Sequence, residues 1–321
     1  MRFVTKTAIA ALIGISFGTA AIPAQAEFPE KPIKLTIPFR AGGGSDGLAR
    51  VVQSVIEKEN LLPAPVVVVN ADGAAGTIGT RHVLESKPDG YTVLQIHQEM
   101  FAAAALGRVN YSPSDFEPVI QASQGCMFVA VPIDSEFNSL QDMLDYAAEK
   151  PGDIKQADDI GSATHFPSAQ LMAASDTSWT IVPTGGTSKR FAALKSGLLD
   201  MAFMSASWIT RGKEDLKPLA ALGNERFNDA PDLPTAKELG FDVEACLNRR
   251  YWVPAGTPQE NIDILADAIE AALQSPEVAA YLEKNGETLS IKRGQELKDA
   301  VAQDYQRYVD VVDIVKKSSA Q

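Results

Sequence analysis

The 321-residue chain has few of the residues that form metal centres, disulfide scaffolds or nucleic-acid surfaces. Its two cysteines and three histidines are too few for a cysteine-rich zinc site or a disulfide-rich fold. Acidic residues outnumber basic ones by 41 to 29, and the net charge of −12 argues against binding to phosphate backbones. The hydrophobic fraction of 45% argues against disordered, collagen-like and coiled-coil chains. The length predicts two globular domains, and the composition fits an α/β protein.

The only long apolar run lies at the amino terminus. Arg2 and Lys6 precede the apolar residues 8–21, no acidic residue precedes Glu27, and Ala24-Gln25-Ala26 is a small-x-small cleavage pattern. This is the layout of a secretory signal peptide, and the run is shorter than the ~20 residues that span a bilayer. We therefore expect residues 1–26 to direct export, with cleavage after Ala26 leaving a mature charge of −12 − 2 = −14.

Strands and helices alternate along the mature chain. Residues 33–39 alternate apolar and polar side chains as a strand does, and an amphipathic helix follows from Leu48. The β-branched run Val66 to Val69 predicts a strand covered on both faces. This alternation indicates an α/β sheet with mainly parallel strands. Further strands are predicted at 91–96, 127–131, 179–182, 201–204 and 217–222. Helix caps are predicted at Ser139, Thr257 (with Glu260) and Gly286. Thr235 is predicted to cap a short helix that ends at Gly240.

Four loops that each follow a strand and precede a helix are rich in glycine and hydroxyl side chains. They span residues 42–47, 73–76, 161–165 and 184–188. A helix start leaves its first N–H groups unpaired and carries a partial positive charge, so it can hold an anion without lysine or arginine. In a parallel sheet such loops gather at the carboxyl ends of the strands. Any one of them could be an ordinary turn, but four together predict a binding cleft.

Gly42, Gly44 and Gly47 match the dinucleotide-binding pattern G-x-G-x-x-G. That pattern also requires an acidic residue at the end of the second strand, where this chain has Asn70. Nucleotide cofactors are also scarce outside the cytoplasm. We therefore expect neither a cofactor nor a bound metal.

The histidines are the candidates for catalysis. His97 and His165 occupy positions that face the expected cleft, whereas His82 lies on a predicted helix and is expected to be structural. Neither His97 nor His165 has a partner that the sequence reveals, and the chain contains no G-x-S-x-G motif. We assign no catalytic residue. An exported hydrolase using His165 or His97 stays the alternative, because catalytic triads are recognised in space rather than in sequence.

Two residue pairs lie near the strands that we expect to connect the domains. Arg249 and Arg250 are adjacent, so at most one can face the cleft; we expect Arg250 to bind a ligand carboxylate and Arg249 to be solvated. Cys126 and Cys246 would meet an oxidising compartment after export. Whether they form a disulfide is left open, because antiparallel strands could place them on opposite sides of the hinge.

Short motifs distributed over almost the whole mature chain resemble one family. They include Phe28-Pro29-Glu30-Lys31-Pro32-Ile33, Gly73-Ala74-Ala75-Gly76-Thr77-Ile78-Gly79 and Val253-Pro254-Ala255-Gly256-Thr257-Pro258, together with residues 38–46, 87–91, 161–165, 182–186 and 232–235. In this order they resemble the receptors of the tripartite tricarboxylate transporters, also called the Bug family.

The resemblance implies a two-lobed periplasmic binding protein of the α/β class with two crossover strands (type II). Lobe 1 would comprise residues 27–130 and 250–321, and lobe 2 residues 131–249. The implied function is capture of a small organic carboxylate between the lobes by a monomer, followed by delivery to the integral-membrane permease of the transporter. A receptor that presents its ligand to a sensor kinase is a second alternative.

The resemblance also implies the ligand-binding residues. They are Gly44, Ser45, Asp46, Ala74, Ala75, Gly76 and Thr77 in lobe 1, and Ser162, Thr164, His165, Gly185, Gly186, Thr187 and Ser205 in lobe 2. The chain departs from the family after the third strand, where it has His97-Gln98-Glu99-Met100; there we expect Gln98 to bind the ligand. It also departs at Ala41 and at 204–208. These departures leave the ligand open among citrate, C4 to C6 dicarboxylates and aromatic acids.

Overall fold

The computed structural model describes residues 28–184, 187–227 and 230–318, so the expected signal peptide lies outside the described residues. Strands and helices alternate as predicted. The strands are β1 Ile33–Ile37, β2 Val66–Asn70, β3 Thr92–Ile96, β4 Phe116–Pro132, β5 Lys155–Asp158, β6 Thr180–Pro183, β7 Met201–Ser205, β8 Leu216–Ala221, β9 Cys246–Pro254 and β10 Thr288–Lys292. The helices are α1 Gly44–Lys58, α2 Thr77–Leu84, α3 Glu99–Ala105, α4 Leu140–Glu149, α5 His165–Ser175, α6 Thr187–Lys195, α7 Ala206–Arg211, α8 Gln259–Leu273, α9 Pro276–Asn285 and α10 Gly294–Ser318.

Two sets of parallel strands are joined by two long antiparallel strands. The strand order is β2-β1-β3-β9-β4-β7-β5-β6, with β8 and β10 also paired to β4. β1, β2 and β3 are parallel, as are β5, β6 and β7. The 17-residue β4 pairs with β9 up to Cys126 and with β7 and β8 from Met127 onward. β4 therefore crosses from one parallel set to the other, with β9 beside it, as a two-lobed α/β fold requires.

The apolar core is divided in the same way as the sheet. One cluster joins β1, α1 and α8, and another lies among residues 127–245. A third cluster brings Phe166 of α5 against Phe101 and Tyr308, so helices from the two predicted lobes share an apolar contact. The predicted lobe boundaries at residues 130 and 250 stay predictions.

Three local predictions differ from the structure. β2 pairs only with β1 among the described strands and Val67 is 47% exposed, so this strand forms an edge of the sheet rather than being covered on both faces. Thr257 donates its hydroxyl to Pro254 O instead of capping α8, whose N-cap is Pro258. Thr235 and Glu238 form a reciprocal pair of hydrogen bonds, but the segment to Gly240 is a turn and not a helix.

The two cysteines form a disulfide, which the sequence alone left open. β4 and β9 are antiparallel, and their register places Cys126 directly opposite Cys246. The bond therefore links the two crossing strands at the point where β4 passes from one parallel set to the other. The predicted caps at Ser139 and Gly286 are confirmed, and the Ser139 cap is a capping box with Asp142.

Candidate functional site

The carboxyl ends of β1 and β2 bring the first two predicted loops together. Ile37 pairs with Asn70, and Ala71 N–H donates to Ile37 O at 2.9 Å. The Asn70 amide then donates to Phe39 O at 3.1 Å and to the Asp46 carboxylate at 2.9 Å. Asn70 thus connects the two loops. A dinucleotide-binding protein has an acidic residue at this position.

The first turn of α1 presents free backbone N–H groups. Gly43 is the N-cap, and the amides of Gly44, Ser45 and Asp46 have no acceptor among the described residues. The Asp46 carboxylate accepts from Gly42 N–H at 2.8 Å and from Arg50 at 3.0 Å. Burial opposes ionisation of Asp46, but hydrogen bonds from Arg50, Gly42 and Asn70 outweigh it and hold the pKa of Asp46 below its ordinary value. The loop is therefore ordered by its own carboxylate, while three amides stay available to an anion.

The second loop is held in a strained left-handed conformation. Gly73, Ala74, Ala75 and Gly76 have φ values of 135°, 44°, 53° and 85°. For a non-glycine residue this costs on the order of 1–2 kcal/mol, and such strain is concentrated at functional sites. The Thr77 hydroxyl donates to Ala74 O at 2.9 Å and so stabilises the turn. The amides of Ala74 and Ala75 have no acceptor among the described residues, and consecutive amides of this kind form an anion-binding concavity.

His97 follows β3 at the same edge of the sheet. Its ring stacks on Phe39, with centroids 5.0 Å apart, and its Nδ1 accepts from Glu99 N–H at 3.3 Å. Burial and the nearby charge of Arg249 lower the pKa of His97 to about 3. The ring is therefore neutral at pH 7, and because Nδ1 is an acceptor the proton resides on Nε2. Gln98, expected at the ligand, is buried and accepts from Asn248 N–H at 2.9 Å.

The third predicted loop differs from the first two because its amides are already bonded. All five N–H groups from Gly161 to His165 have acceptors within the chain. These acceptors are His165 Nδ1, Asp159 O, Glu99 Oε2, Ser162 Oγ and Ser162 O, in chain order. The expectation of free amides is thus not met at this loop.

The side chains of the third loop are engaged as well. The Thr164 hydroxyl donates to buried Asp158. His165 is completely buried, and burial lowers its pKa. Ser162 Oγ lies 2.8 Å from Thr164 Oγ1. The ligand contacts predicted for Ser162, Thr164 and His165 stay predictions.

Glu99 connects the third loop to the other half of the molecule. Its carboxylate accepts from Ala163 N–H at 3.1 Å, while Arg108 donates to Gly161 O at 3.2 Å and Tyr308 O–H donates to Ala163 O at 3.3 Å. Burial raises the pKa of Glu99 to about 7. A carboxyl group of the chain itself therefore occupies one of the amides at the start of α5, where we expected contacts with the ligand.

The remaining predicted residues follow β6 and β7. Thr187 opens α6, and Ser205 is the N-cap of α7 with its hydroxyl 3.2 Å from that of Ser207. Gly185 and Gly186 lie outside the described residues. Because β5, β6 and β7 are parallel neighbours, their following loops share one edge of the sheet.

Both arginines are buried and ion-paired, whereas Arg249 was expected to be solvated. Arg249, expected to be solvated, is only 8% exposed and donates to Ser45 Oγ at 2.8 Å and to the Glu287 carboxylate. Arg250, expected at the ligand, donates instead to Gln121 and Asp304 on the other face of β9. The alternation of β9 was correctly predicted, but the face turned toward α1 was not, since that requires knowing which helix covers which side.

The fold and the site define the class of two-lobed α/β binding proteins. Among the described helices, none has the length and apolar character to cross a membrane. The described residues also include no cluster of His, Cys, Asp or Glu suited to a metal ion. Residues 48–317 match the tripartite tricarboxylate transporter family receptors (TctC), and the chain belongs to that family.

Relatives of known sequence and structure cover most of the chain. Protein BugT of Bordetella pertussis is 29% identical over 317 residues, which is 95% of this chain and 97% of BugT. A TctC solute-binding protein from Polaromonas has a TM-score of 0.79 at 25% identity, covering 89% of this chain and 99% of that one. MatC from Rhodopseudomonas palustris, solved with bound malate, has a TM-score of 0.75 at 26% identity and covers 89% and 100%.

Proposed function

We propose that this protein is a periplasmic receptor that binds a small organic carboxylate between its lobes and delivers it to the membrane permease of a tripartite tricarboxylate transporter. The observation that carries the proposal is the meeting of two sets of unpaired amides, at Gly44 to Asp46 and at Ala74 to Ala75. The malate bound to MatC supports a carboxylate as the ligand class. The same site would serve a receptor that presents its ligand to a sensor kinase, which would differ only in its partner.

The binding is asymmetric between the two halves of the molecule. The amides of the first half are available, whereas those of Gly161 to His165 are occupied by acceptors of the chain. We infer that one ligand carboxylate is held by the first half, and that hydroxyl groups such as those of Thr187 and Ser205 contact the rest of the ligand. An overall negative charge would repel an organic acid at long range, so affinity would come from these short-range donors.

Binding without chemistry is favoured over the hydrolase alternative by the state of both histidines. His97 has a pKa of about 3 and its Nδ1 accepts a backbone N–H, so it is a weak base near pH 7. His165 is completely buried, and its Nδ1 accepts from Gly161 N–H. Neither ring is placed to activate a nucleophile for attack on a ligand.

The test is titration calorimetry of the exported, mature protein with malate, succinate, adipate, citrate and benzoate. Matched controls are the methyl ester and the amide of the tightest acid, which keep its shape but lack one charged carboxylate. We expect at least one acid to bind, its ester and amide to bind much more weakly, and the ligand to be recovered unchanged. Failure of every acid to bind, or hydrolysis of the ester or amide, would contradict the proposal.

A further inference from the structure

Adjacent residues of β9 carry two buried ion pairs that face opposite sides of the strand. Arg249 pairs with Glu287, and Arg250, 2% exposed, pairs with Asp304. Burying an ion pair is costly in solvation, and such a pair is retained without penalty only where hydrogen bonds satisfy both partners. Of the two pairs, only that of Arg249 contacts residues of α1 whose backbone amides are free, namely Gly44 and Ser45, so its surroundings indicate what the pair does.

The Arg249 guanidinium touches two consecutive residues at the start of α1. Its Nη1 donates to Ser45 Oγ at 2.8 Å, and its Nη2 packs so closely on Gly44 that a Cβ there would lie 2.6 Å away. A guanidinium has no acceptor, so Ser45 Oγ must accept this bond. The hydroxyl hydrogen of Ser45 is therefore left to donate elsewhere.

Glu287, in the carboxyl-terminal part of the chain, fixes the position of Arg249. Arg249 Nε donates to both oxygens of Glu287, at 3.0 and 2.8 Å, and Ser123 Oγ donates to the same carboxylate at 2.8 Å. The Tyr281 hydroxyl donates to Gly44 O at 3.0 Å. The first turn of α1 is thus held at Gly44 and at Ser45 by α9, β9 and the residue before β10.

We propose that Arg249, held by Glu287, is a positioning residue for the carboxylate site. It fixes the first turn of α1 and leaves the Ser45 hydroxyl directed to a ligand oxygen. This inference rests on the proposed function and deepens it. Because Glu287 neutralises the guanidinium at short range, the site selects a carboxylate by the direction of its donors rather than by a net positive charge.

Arg250 provides a matched control on the same strand. It is also buried and ion-paired, donates to Gln121 Oε1 at 2.8 Å, and its guanidinium lies 5.7 Å from the centre of the Phe101 ring. None of its described contacts is with the loops at Gly44 to Asp46 or Ala74 to Thr77. Replacing Arg250 tests the loss of a buried ion pair without disturbing the proposed site.

The experiment compares Arg249→Met, Ser45→Ala, the double variant and Arg250→Met. Calorimetry uses the tightest acid of the panel above, and hydrogen exchange of the ligand-free proteins follows the amide of Gly47, which donates to Gly43 O at 2.9 Å. We expect Arg249→Met and Ser45→Ala each to weaken binding about tenfold, and the double variant to be no weaker than Arg249→Met. Arg250→Met should leave the dissociation constant within about twofold although it destabilises the fold. Exchange at Gly47 should accelerate in both variants that lack Arg249 and should not accelerate in Arg250→Met.

Three results would overturn the proposal. They are unchanged binding in Arg249→Met, additive losses in the double variant, and unchanged exchange at Gly47. If Arg249→Met does not fold, Glu287→Gln replaces it, because this variant keeps the guanidinium but loosens its support. Acid binding should then weaken severalfold. Unchanged binding would count against the positioning role of Arg249. If wild-type protein binds no acid, the proposed function fails, and the exchange measurement alone decides whether Arg249 holds the turn.

Discussion

The buried carboxyl group of Glu99 makes stability depend on pH in a defined direction. Burial raises the pKa of Glu99 from its ordinary 4.5 to about 7, against a hydrogen bond from Ala163 N–H that lowers it. Asp158 and Asp159 raise the pKa further, and Arg108 opposes them. Between pH 4.5 and 7 the folded protein therefore binds more protons at this residue than the unfolded chain does, so stability falls as the pH rises.

The magnitude follows from the two pKa values. A difference from 4.5 to about 7 corresponds to about 3 kcal/mol of unfolding free energy, present below pH 4.5 and lost by the time the pH exceeds 7. In Glu99→Gln this loss cannot occur, because the amide does not ionise and its carbonyl can still accept from Ala163. Relative to the variant, the wild-type protein should lose about 3 kcal/mol between pH 4.5 and 8.

The assay is urea unfolding of both proteins at several pH values between about 4.5 and 8. Glu238→Gln is a matched control, since a backbone hydrogen bond from Thr235 and the Arg226 side chain lower the pKa of exposed Glu238 below 4.5. The stability that ionised Glu238 contributes is lost only below pH 4.5, so the difference between this variant and wild type should stay constant from pH 4.5 to 8. Parallel pH profiles for wild type and Glu99→Gln would refute the reasoning about Glu99.

Three further predictions concern the disulfide, the histidine and the two loops. Replacing Cys126 and Cys246 by alanine should lower the unfolding free energy by about 3–5 kcal/mol in urea titration, since the bond closes a loop with a sequence separation of 120; a loss below about 1 kcal/mol would contradict this. The ring resonances of His97 should not titrate between about pH 5 and 8 by NMR, because its pKa is about 3, and an inflection near pH 6 would be inconsistent with that environment. Asp46→Ala and Thr77→Val should each weaken acid binding by about 1–3 kcal/mol in calorimetry, because their side chains order the two loops; wild-type affinity in both would count against the site.

Local sequence patterns were sufficient for the strands, helices and loops around β1 and β2. The strand-loop-helix alternation predicted β1 and β2 with their loops, and glycine at positions 73 and 76 indicated the left-handed turn that the structure contains. Periodicity also predicted that Arg249 and Arg250 face opposite ways. These features depend on residues close together in sequence, which is why they could be predicted.

The features that the sequence left open or that were predicted incorrectly depended mainly on contacts between distant residues. Arg249 meets Ser45 across 204 residues and Glu287 across 38, and nothing in the local pattern indicates either partner. Glu99 takes the Ala163 amide across 64 residues, which removes one of the amides that the sequence of the third loop suggested were free. The pairing of Cys126 with Cys246 depends on the register between β4 and β9, which only the assembled sheet defines.

The most direct test of the account is a crystal structure of the mature protein with the tightest-binding acid. We predict that the amides of Ser45 or Asp46 and of Ala74 or Ala75 bind one ligand carboxylate, each either directly at about 3.2 Å or less or through a single bridging water. The bond from Glu99 to Ala163 N–H should remain in place. A ligand carboxylate bound at the start of α5 with Glu99 displaced, or one bound away from both amide sets, would contradict the account.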